Sequence, residues 1–336
     1  MNGNRLPRVA VIGTGGTMSS LGSSSLDLMD YPDYGQKLDI GEVLVRVPEA
    51  AKVADVVPVP FRAIGSTKIT YADWMGMRDT IRRMAREQPD IAGFVITHGT
   101  ATLEETAFFL DLTLDVEQTV VLVGAQRPLS AVSSDSPMNL IAALKVAGSP
   151  KSRGRGVLVV LNDEIHPARD VIKTATLRLQ TFRSTDFGAL GIVDPDGIQY
   201  YRRSERPHAP EGAFANLADD AVPPRVDIVY SYVGADETFI EAALAKGARG
   251  IVSAALAPGI PTNAEKAALE AAAKKGIAVV LCTRAHTGRV AHRRYLSDVD
   301  FIAGEDLSPQ KARIVLALGL AQGMGMEELR RVFAAV

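Results

Sequence analysis

The chain has 336 residues, of which 47% are hydrophobic, a formal net charge of −2 and a single cysteine. That length and apolar content are enough for a large core in two domains. Near-neutral charge without a Lys/Arg tract leaves no footprint for nucleic acid, and no apolar run reaches the length of a membrane span. One cysteine, Cys282, excludes an internal disulfide and fits a reducing compartment. The N-terminal residues, with Arg5 and Arg8, reach a strand pattern without an apolar h-region, so a cytoplasmic location is expected.

Aliphatic strand patterns alternate with helical ones, the mark of βαβ units. The first strand, residues 9–12, runs into Gly13-Thr14-Gly15-Gly16-Thr17-Met18. Glycines let the backbone approach a ligand closely. A dinucleotide fingerprint needs glycine where Met18 stands, and a P-loop needs a Lys-Ser/Thr pair that is absent. The loop instead suits presentation of the Thr17 hydroxyl to a substrate carbonyl, with backbone N–H groups near the oxyanion. Residues 19–36, with Gly22, Gly35 and three serines at 23–25, suit a lid or an ordinary mobile loop.

A strand at 56–61 and an amphipathic helix at 71–87 follow, with Trp74, Met77, Ile81 and Met84 on the core face. The strand at 93–96 stops at Thr97-His98-Gly99-Thr100, and a helix starts with Thr102 as N-cap and Glu105 completing a capping box. Ligands sit at the carboxyl ends of strands in open α/β sheets. Thr100 there is either a nucleophile, an activator of one, or part of a plain helix cap. Further strands are expected at 120–123 and 157–161, with a helix at 138–147 between them. Lys173 then sits among Ile172, Thr174 and Ala175; it is either a desolvated base or a surface lysine paired with Asp170.

Short strands with a turn at 194–197 follow, then a charged, proline-containing stretch at 202–224 that reads as a linker. The second α/β unit alternates strands at 226–230, 250–254 and 278–281 with helices at 236–246 and 264–275. Helices at 309–320 and 326–336 end the chain. The domain reading is therefore 1–201, a linker at 202–224, and 225–336. The fold class is α/β, with two doubly wound domains: a larger N-terminal flavodoxin-like or Rossmann-like sheet and a smaller C-terminal one. The five histidines lack an H-E-x-x-H pattern and one cysteine cannot build a zinc site, so neither metal nor cofactor is expected.

The two threonine turns and the lysine segment together resemble the bacterial-type L-asparaginase/glutaminase family. The likeness covers nearly the whole chain. It includes Thr14-Gly15-Gly16-Thr17, Thr97 to Thr100 through Glu105, and Gly124-Ala125-Gln126-Arg127-Pro128. It continues through Asp135 to Leu140, Leu161-Asn162-Asp163, Ala168 to Thr174, and Ser308 to Arg313. The resemblance implies an amidohydrolase without cofactors, working as a homodimer or homotetramer on a small amide. Thr17 matches the nucleophile, Thr100 and Lys173 the second catalytic group, and Ser66 the contact to the substrate carboxylate. Gly16, Thr67, Gly99 and Ala101 fall on the remaining substrate-binding positions. A tyrosine from the loop after the first strand supports the nucleophile; Tyr31 and Tyr34 compete, and the spacing from Thr17 favours Tyr31.

The departures concern substrate. Ala101 stands where the family carries an aspartate that contacts the α-ammonium of asparagine. The stretch matching a glutamate lent by a neighbouring subunit, Thr283 to Arg294, holds four arginines, two histidines and no carboxylate. Ile260 replaces an asparagine near the same group. Two substrates therefore stay open. One is L-asparagine, with Glu104 or Asp170 taking over; the other is an amide, imide or lactam without an α-amino group. A non-catalytic binding protein on the same scaffold is the third reading.

Overall fold

The structure, a computed structural model, describes residues 5–336, so the first four residues of the expected N-terminal domain lie outside it. The strands of the first unit are β1 (Arg8–Gly13), β2 (Ser20–Leu21), β3 (Gln36–Lys37), β4 (Asp55–Pro60), β5 (Ile91–Thr97), β6 (Thr119–Val123) and β7 (Val157–Leu161). They continue with β8 (Glu164–Pro167), β9 (Ile172–Lys173), β10 (Phe182–Arg183), β11 (Gly191–Asp194) and β12 (Gly197–Tyr200). Its helices are α1 (Tyr31–Tyr34), α2 (Ile40–Arg46), α3 (Tyr71–Glu87), α4 (Leu103–Thr113) and α5 (Ser136–Gly148).

The main sheet has the order β12-β11-β8-β7-β6-β5-β1-β4. The run from β4 to β7 is parallel, and β8, β11 and β12 add an antiparallel edge. Counting only the parallel strands in chain order, the sequence across the sheet is second-first-third-fourth-fifth, the flavodoxin-like order. Its direction reverses between β1 and β5, and the crevice for a ligand opens at the carboxyl ends of those strands. β6 and β7 are buried along their whole lengths, which is why their sequences are unbroken aliphatic runs.

α3 buries Trp74, Met77, Ile81 and Met84, as its periodicity predicts. Trp74 stacks on Phe109 of α4 with ring centroids 5.0 Å apart, and its Nε1 donates to Thr106 Oγ1 at 2.8 Å. Both contacts lock α4, and hence the turn before it, against α3. Thr102 is the N-cap of α4, but the expected capping box is not formed. Its hydroxyl donates instead to the carbonyl oxygen of Ser66 at 2.9 Å, drawn by a loop 36 residues away in the chain. That contact joins two loops of the site.

Residues 202–224 are irregular. They are not a solvated spacer throughout: Phe214 is fully buried and its N–H donates to Leu112 O, while Ala209 N–H donates to Asp111 Oδ1. The first unit accordingly extends to Ala215 and the second runs from Asn216 to Val336.

The second unit has four parallel strands in chain order, β13 (Val226–Tyr230), β14 (Gly250–Ala255), β15 (Ala278–Thr283) and β16 (Ile302–Ala303). Its helices are α6 (Thr238–Ala245), α7 (Asn263–Lys274), α8 (Arg294–Asp298), α9 (Pro309–Ala321) and α10 (Met326–Ala335). Ile240 of α6 and Leu269 of α7 pack with Ile251, Val279 and Leu281 on one face of the sheet. Leu316 of α9 meets Gly250 on the other, so both faces are covered. Cys282 is a buried free thiol within β15. Among the described residues, no helix is long and apolar enough to cross a membrane.

Candidate active site

The first loop leaves β1 at Gly13 and turns through Gly15 and Gly16, whose φ angles are +95° and +86°. Only glycine adopts such angles without strain. At Gly16 there is also no room: a Cβ would lie 2.4 Å from the amide nitrogen of Gly99. The two threonine loops therefore touch backbone to backbone. Thr14 strengthens the join, its N–H and its hydroxyl both donating to Thr97 O at 3.2 and 2.7 Å. Gly99 in turn packs on Ser66, where a Cβ would come within 2.6 Å of Oγ. Gly16, Ser66 and Gly99 thus meet at the reversal point of the sheet. Thr67 and Ala101 are exposed at its rim.

Thr17 Oγ1 lies 2.9 Å from the Tyr31 hydroxyl. Tyr31 is 9% exposed, whereas Tyr34 is 85% exposed and turns away. Asp27 holds Tyr31 in place by accepting N–H bonds from Ser23, Asp30 and Tyr31. Burial, foremost, pushes the Tyr31 phenol above its ordinary range, so it is protonated at neutral pH. It is a hydrogen-bond partner or a relay, not a standing phenolate. Tyr31→Phe is expected to lower kcat by a factor on the order of 10², with Tyr34→Phe near the parent rate. Steady-state ammonia release checks this, and equal losses in the two variants would overturn it.

The loop carrying Tyr31 is fastened to a neighbouring one. Its base is the β2–β3 ladder. Leu129 N–H donates to Ser20 O, Val132 N–H to Ser25 O, and Gly22 N–H to Ser130 Oγ. Lys37 Nζ lies 5.8 Å from the Tyr31 ring centroid and donates to Ser20 Oγ, which donates to Gly16 O.

Thr100 and Lys173 are 73 residues apart in the chain, and Lys173 Nζ lies 2.6 Å from Thr100 Oγ1. Lys173 sits on β9, paired antiparallel with β10 in a two-stranded sheet of their own. Burial, foremost, holds the amine below the usual lysine range, and the nearby Glu104 carboxylate partly offsets that. Glu104 Oε2 also accepts the backbone N–H of Lys173 in a short hydrogen bond. Asp170, the other candidate partner, pairs with Arg169.

His98 lies inside the Thr100 turn and is completely buried, which pushes its pKa down to about 4. Gly99 O can only accept, so His98 Nδ1 carries the ring proton, and the neutral ring leaves Nε2 to accept the Thr106 hydroxyl at 2.9 Å. Nδ1 donates to Gly99 O at 2.8 Å. His98 is a neutral strut for the turn.

Two residues absent from the expected site join it. Gln126 Oε1 lies 3.5 Å from Lys173 Nζ. Asp135 accepts the N–H groups of Gln126 and Arg127, and its charge reaches Tyr31. The signal that could have found them is the polar turn after β6, which mirrors the turns after β1 and β5. The arginine-rich stretch and Ile260 lie in the second unit, where Arg289 pairs with Glu305 at 2.7 Å. Among the described residues, no three His, Cys, Asp or Glu side chains gather where a metal ion could be held.

A flavodoxin-like sheet that presents a phenol-bound hydroxyl and an amine-bound hydroxyl at its reversal point, followed by a second α/β unit, defines a two-unit amidohydrolase class. The family models agree: residues 8–206 match "Asparaginase, N-terminal" and residues 225–333 match "Glutaminase/Asparaginase C-terminal domain". The chain belongs to the asparaginase family, hydrolases of carbon–nitrogen bonds other than peptide bonds. It is 38% identical to a "Probable L-asparaginase periplasmic" of Haemophilus influenzae, over 99% of this chain and 94% of that protein. It is 36% identical to an "L-asparaginase 2" of Bacillus subtilis, over 98% of this chain and 86% of the relative. Among solved structures, a "Probable Cytoplasmic L-asparaginase" from Campylobacter jejuni superposes with a TM-score of 0.92 at 34% identity, covering 98% of this chain and 99% of that one.

Proposed function

We propose that the protein cleaves the amide bond of a small substrate through an acyl-enzyme on Thr17. The observation that carries this reading is the pair of contacts at the sheet's reversal point, Thr17 to Tyr31 and Thr100 to Lys173. A neutral hydroxyl is a weak nucleophile and needs a base or relay. Thr17 Oγ attacks the amide carbon, its proton passes to the Thr100–Lys173 pair, and the carbonyl oxygen becomes an oxyanion. Collapse breaks the carbon–nitrogen bond while the pair returns the proton to the departing nitrogen. Water then adds to the ester and gives a proton to the pair. The carbon–oxygen bond breaks, Thr17 is reprotonated and a carboxylic acid leaves. Ser66, Thr67, Gly16, Gly99 and Ala101 line the substrate side in this reading.

The substrate proposed is a small amide, imide or lactam without an α-ammonium group. Ala101 supports it, because a methyl cannot accept the charge-assisted hydrogen bond, worth about 1.5–3 kcal/mol, that holds such a group. L-Asparagine, the substrate named in several relatives, is the rival. Assaying ammonia release from L-asparagine, L-glutamine, succinamate and cyclic imides separates them. Turnover of succinamate with weak use of L-asparagine is expected. A millimolar or lower Michaelis constant for L-asparagine with none for succinamate would reverse the assignment.

A homodimer or homotetramer is proposed from the family resemblance. It is supported by the exposed apolar residues Ile228 and Tyr230 on the edge strand β13 and Tyr232 just after it. A cytoplasmic setting is proposed on the buried free Cys282, although the names of the relatives point to both compartments.

A further inference from the structure

We propose that Gln126 is a substrate-binding residue whose side-chain NH₂ group donates to a second oxygen of the substrate, a carbonyl or carboxylate beyond the scissile amide. The inference rests on the amidohydrolase reading above and narrows its substrate class.

Gln126 is 8% exposed. One end of its carboxamide, Oε1, faces Lys173 Nζ, the nitrogen that also contacts Thr100. The other end, Nε2, is buried without a hydrogen-bond partner. Buried amide donors are nearly always paired, so an orphan one beside reacting groups marks a place for a ligand atom. The side chain does not reach that place by chance of rotamer, because its backbone is fixed on both sides. Asp135 accepts its N–H at 2.9 Å and that of Arg127 at 2.9 Å. Asn139 donates to both Asp135 Oδ2 and Gly124 O, closing the turn on the first turn of α5. Ser136 Oγ reaches Met18 O, so the same turn is tied to the loop that carries Thr17.

The chemistry of the orphan group selects its partner. An amide NH₂ donates and is uncharged, so it takes a carbonyl or carboxylate oxygen and offers nothing to an ammonium. Ala101 removes the matching acceptor from the rim. Nε2 therefore presents a donor on this side of the site, next to Lys173. It suits the half-amide of a small dicarboxylic acid, or a cyclic imide whose second carbonyl takes the same bond.

The test compares Gln126→Glu and Gln126→Leu with the parent, on succinamate and on butyramide, which has four carbons like succinamate and a methyl in place of its carboxylate. Gln126→Glu keeps the shape but replaces the donor by a carboxylate, which guards against a loss due to poor packing. Both variants are expected to raise KM for succinamate at least tenfold, the usual effect of losing a hydrogen bond to a charged group. In each variant the loss of kcat/KM is expected to be at least tenfold larger on succinamate than on butyramide, because the charge that Gln126→Glu sets beside Lys173 acts on both amides alike. Succinate binding, measured by calorimetry, should weaken by a similar factor and needs no turnover. If the parent binds succinate through Gln126 yet releases ammonia from none of succinamate, butyramide, L-asparagine and L-glutamine, the amidohydrolase reading fails and the Gln126 contact stands. Equal losses on the two amides, or succinate affinity that is unchanged in the variants or absent in the parent, would overturn the proposal.

Discussion

Thr17→Ala is expected to reduce ammonia release by a factor on the order of 10³ or more while leaving the fold intact. The size follows from removing the atom that forms the acyl bond, because groups that act as one unit fail together when one is lost. The intact fold follows from what else Thr17 does. It begins a single 3₁₀ turn, is only partly buried, and its hydroxyl contacts Tyr31. One lost hydrogen bond costs about 1 kcal/mol, which in a domain of this size is a shift of a few degrees in Tm. Thr17→Ser keeps the oxygen and is expected to retain part of the rate. Mass spectrometry of the parent quenched during turnover should find the acyl group on Thr17. Activity of Thr17→Ala within tenfold of the parent would move the nucleophile elsewhere.

The same variant separates the enzyme from a binding protein on this scaffold. A binder would keep its affinity for the product acid and lose nothing that matters to it. An enzyme loses turnover and keeps product affinity, because Ser66, the contact proposed for the acid, lies outside the nucleophile.

The parallel strands were legible because both faces of β5, β6 and β7 are covered, which forces near-continuous apolar runs that polar turns then punctuate. The threonines were legible because each such turn ends on a hydroxyl at a strand's carboxyl end. What stayed hidden depends on partners far away in the chain. Thr102 and Glu105 carry a capping-box signature, yet Thr102 makes no cap bond and its hydroxyl donates to Ser66 O. Gln126 reads as one polar residue among several until Asp135 and Lys173 are placed around it. The two-residue strands β9 and β10 are too short for any periodicity, although they set Lys173 in position. The helix α2 did have a signal, Asp39 and Glu42, which form a true capping box with both bonds at 2.9 Å.

Lys173→Met should cost a factor on the order of 10² to 10⁴ in kcat, the usual worth of a positioned acid–base group. The more decisive measurement is the pH profile. Lys173 serves as a base only as the free amine. Below its pKa it is an ammonium and the rate falls; above it the rate levels off. Burial lowers that pKa and so favours the free amine nearer neutrality, while the Glu104 carboxylate raises it and opposes the effect. Removing the charge at Glu104 therefore moves the acid limb of kcat/KM to lower pH. Glu104→Gln is the suitable probe because its remaining side-chain oxygen still accepts the Lys173 backbone N–H, so β9 keeps its anchor. Lys173→Arg supplies the control: a guanidinium donates to Thr100 but does not release its proton, so that variant should stay inactive at every pH. An acid limb unmoved in folded Glu104→Gln would show that the titrating group is not Lys173. A limb that moves down, together with an inactive arginine variant, would tie the rate to one neutral amine held against one hydroxyl by burial and opposed by one carboxylate.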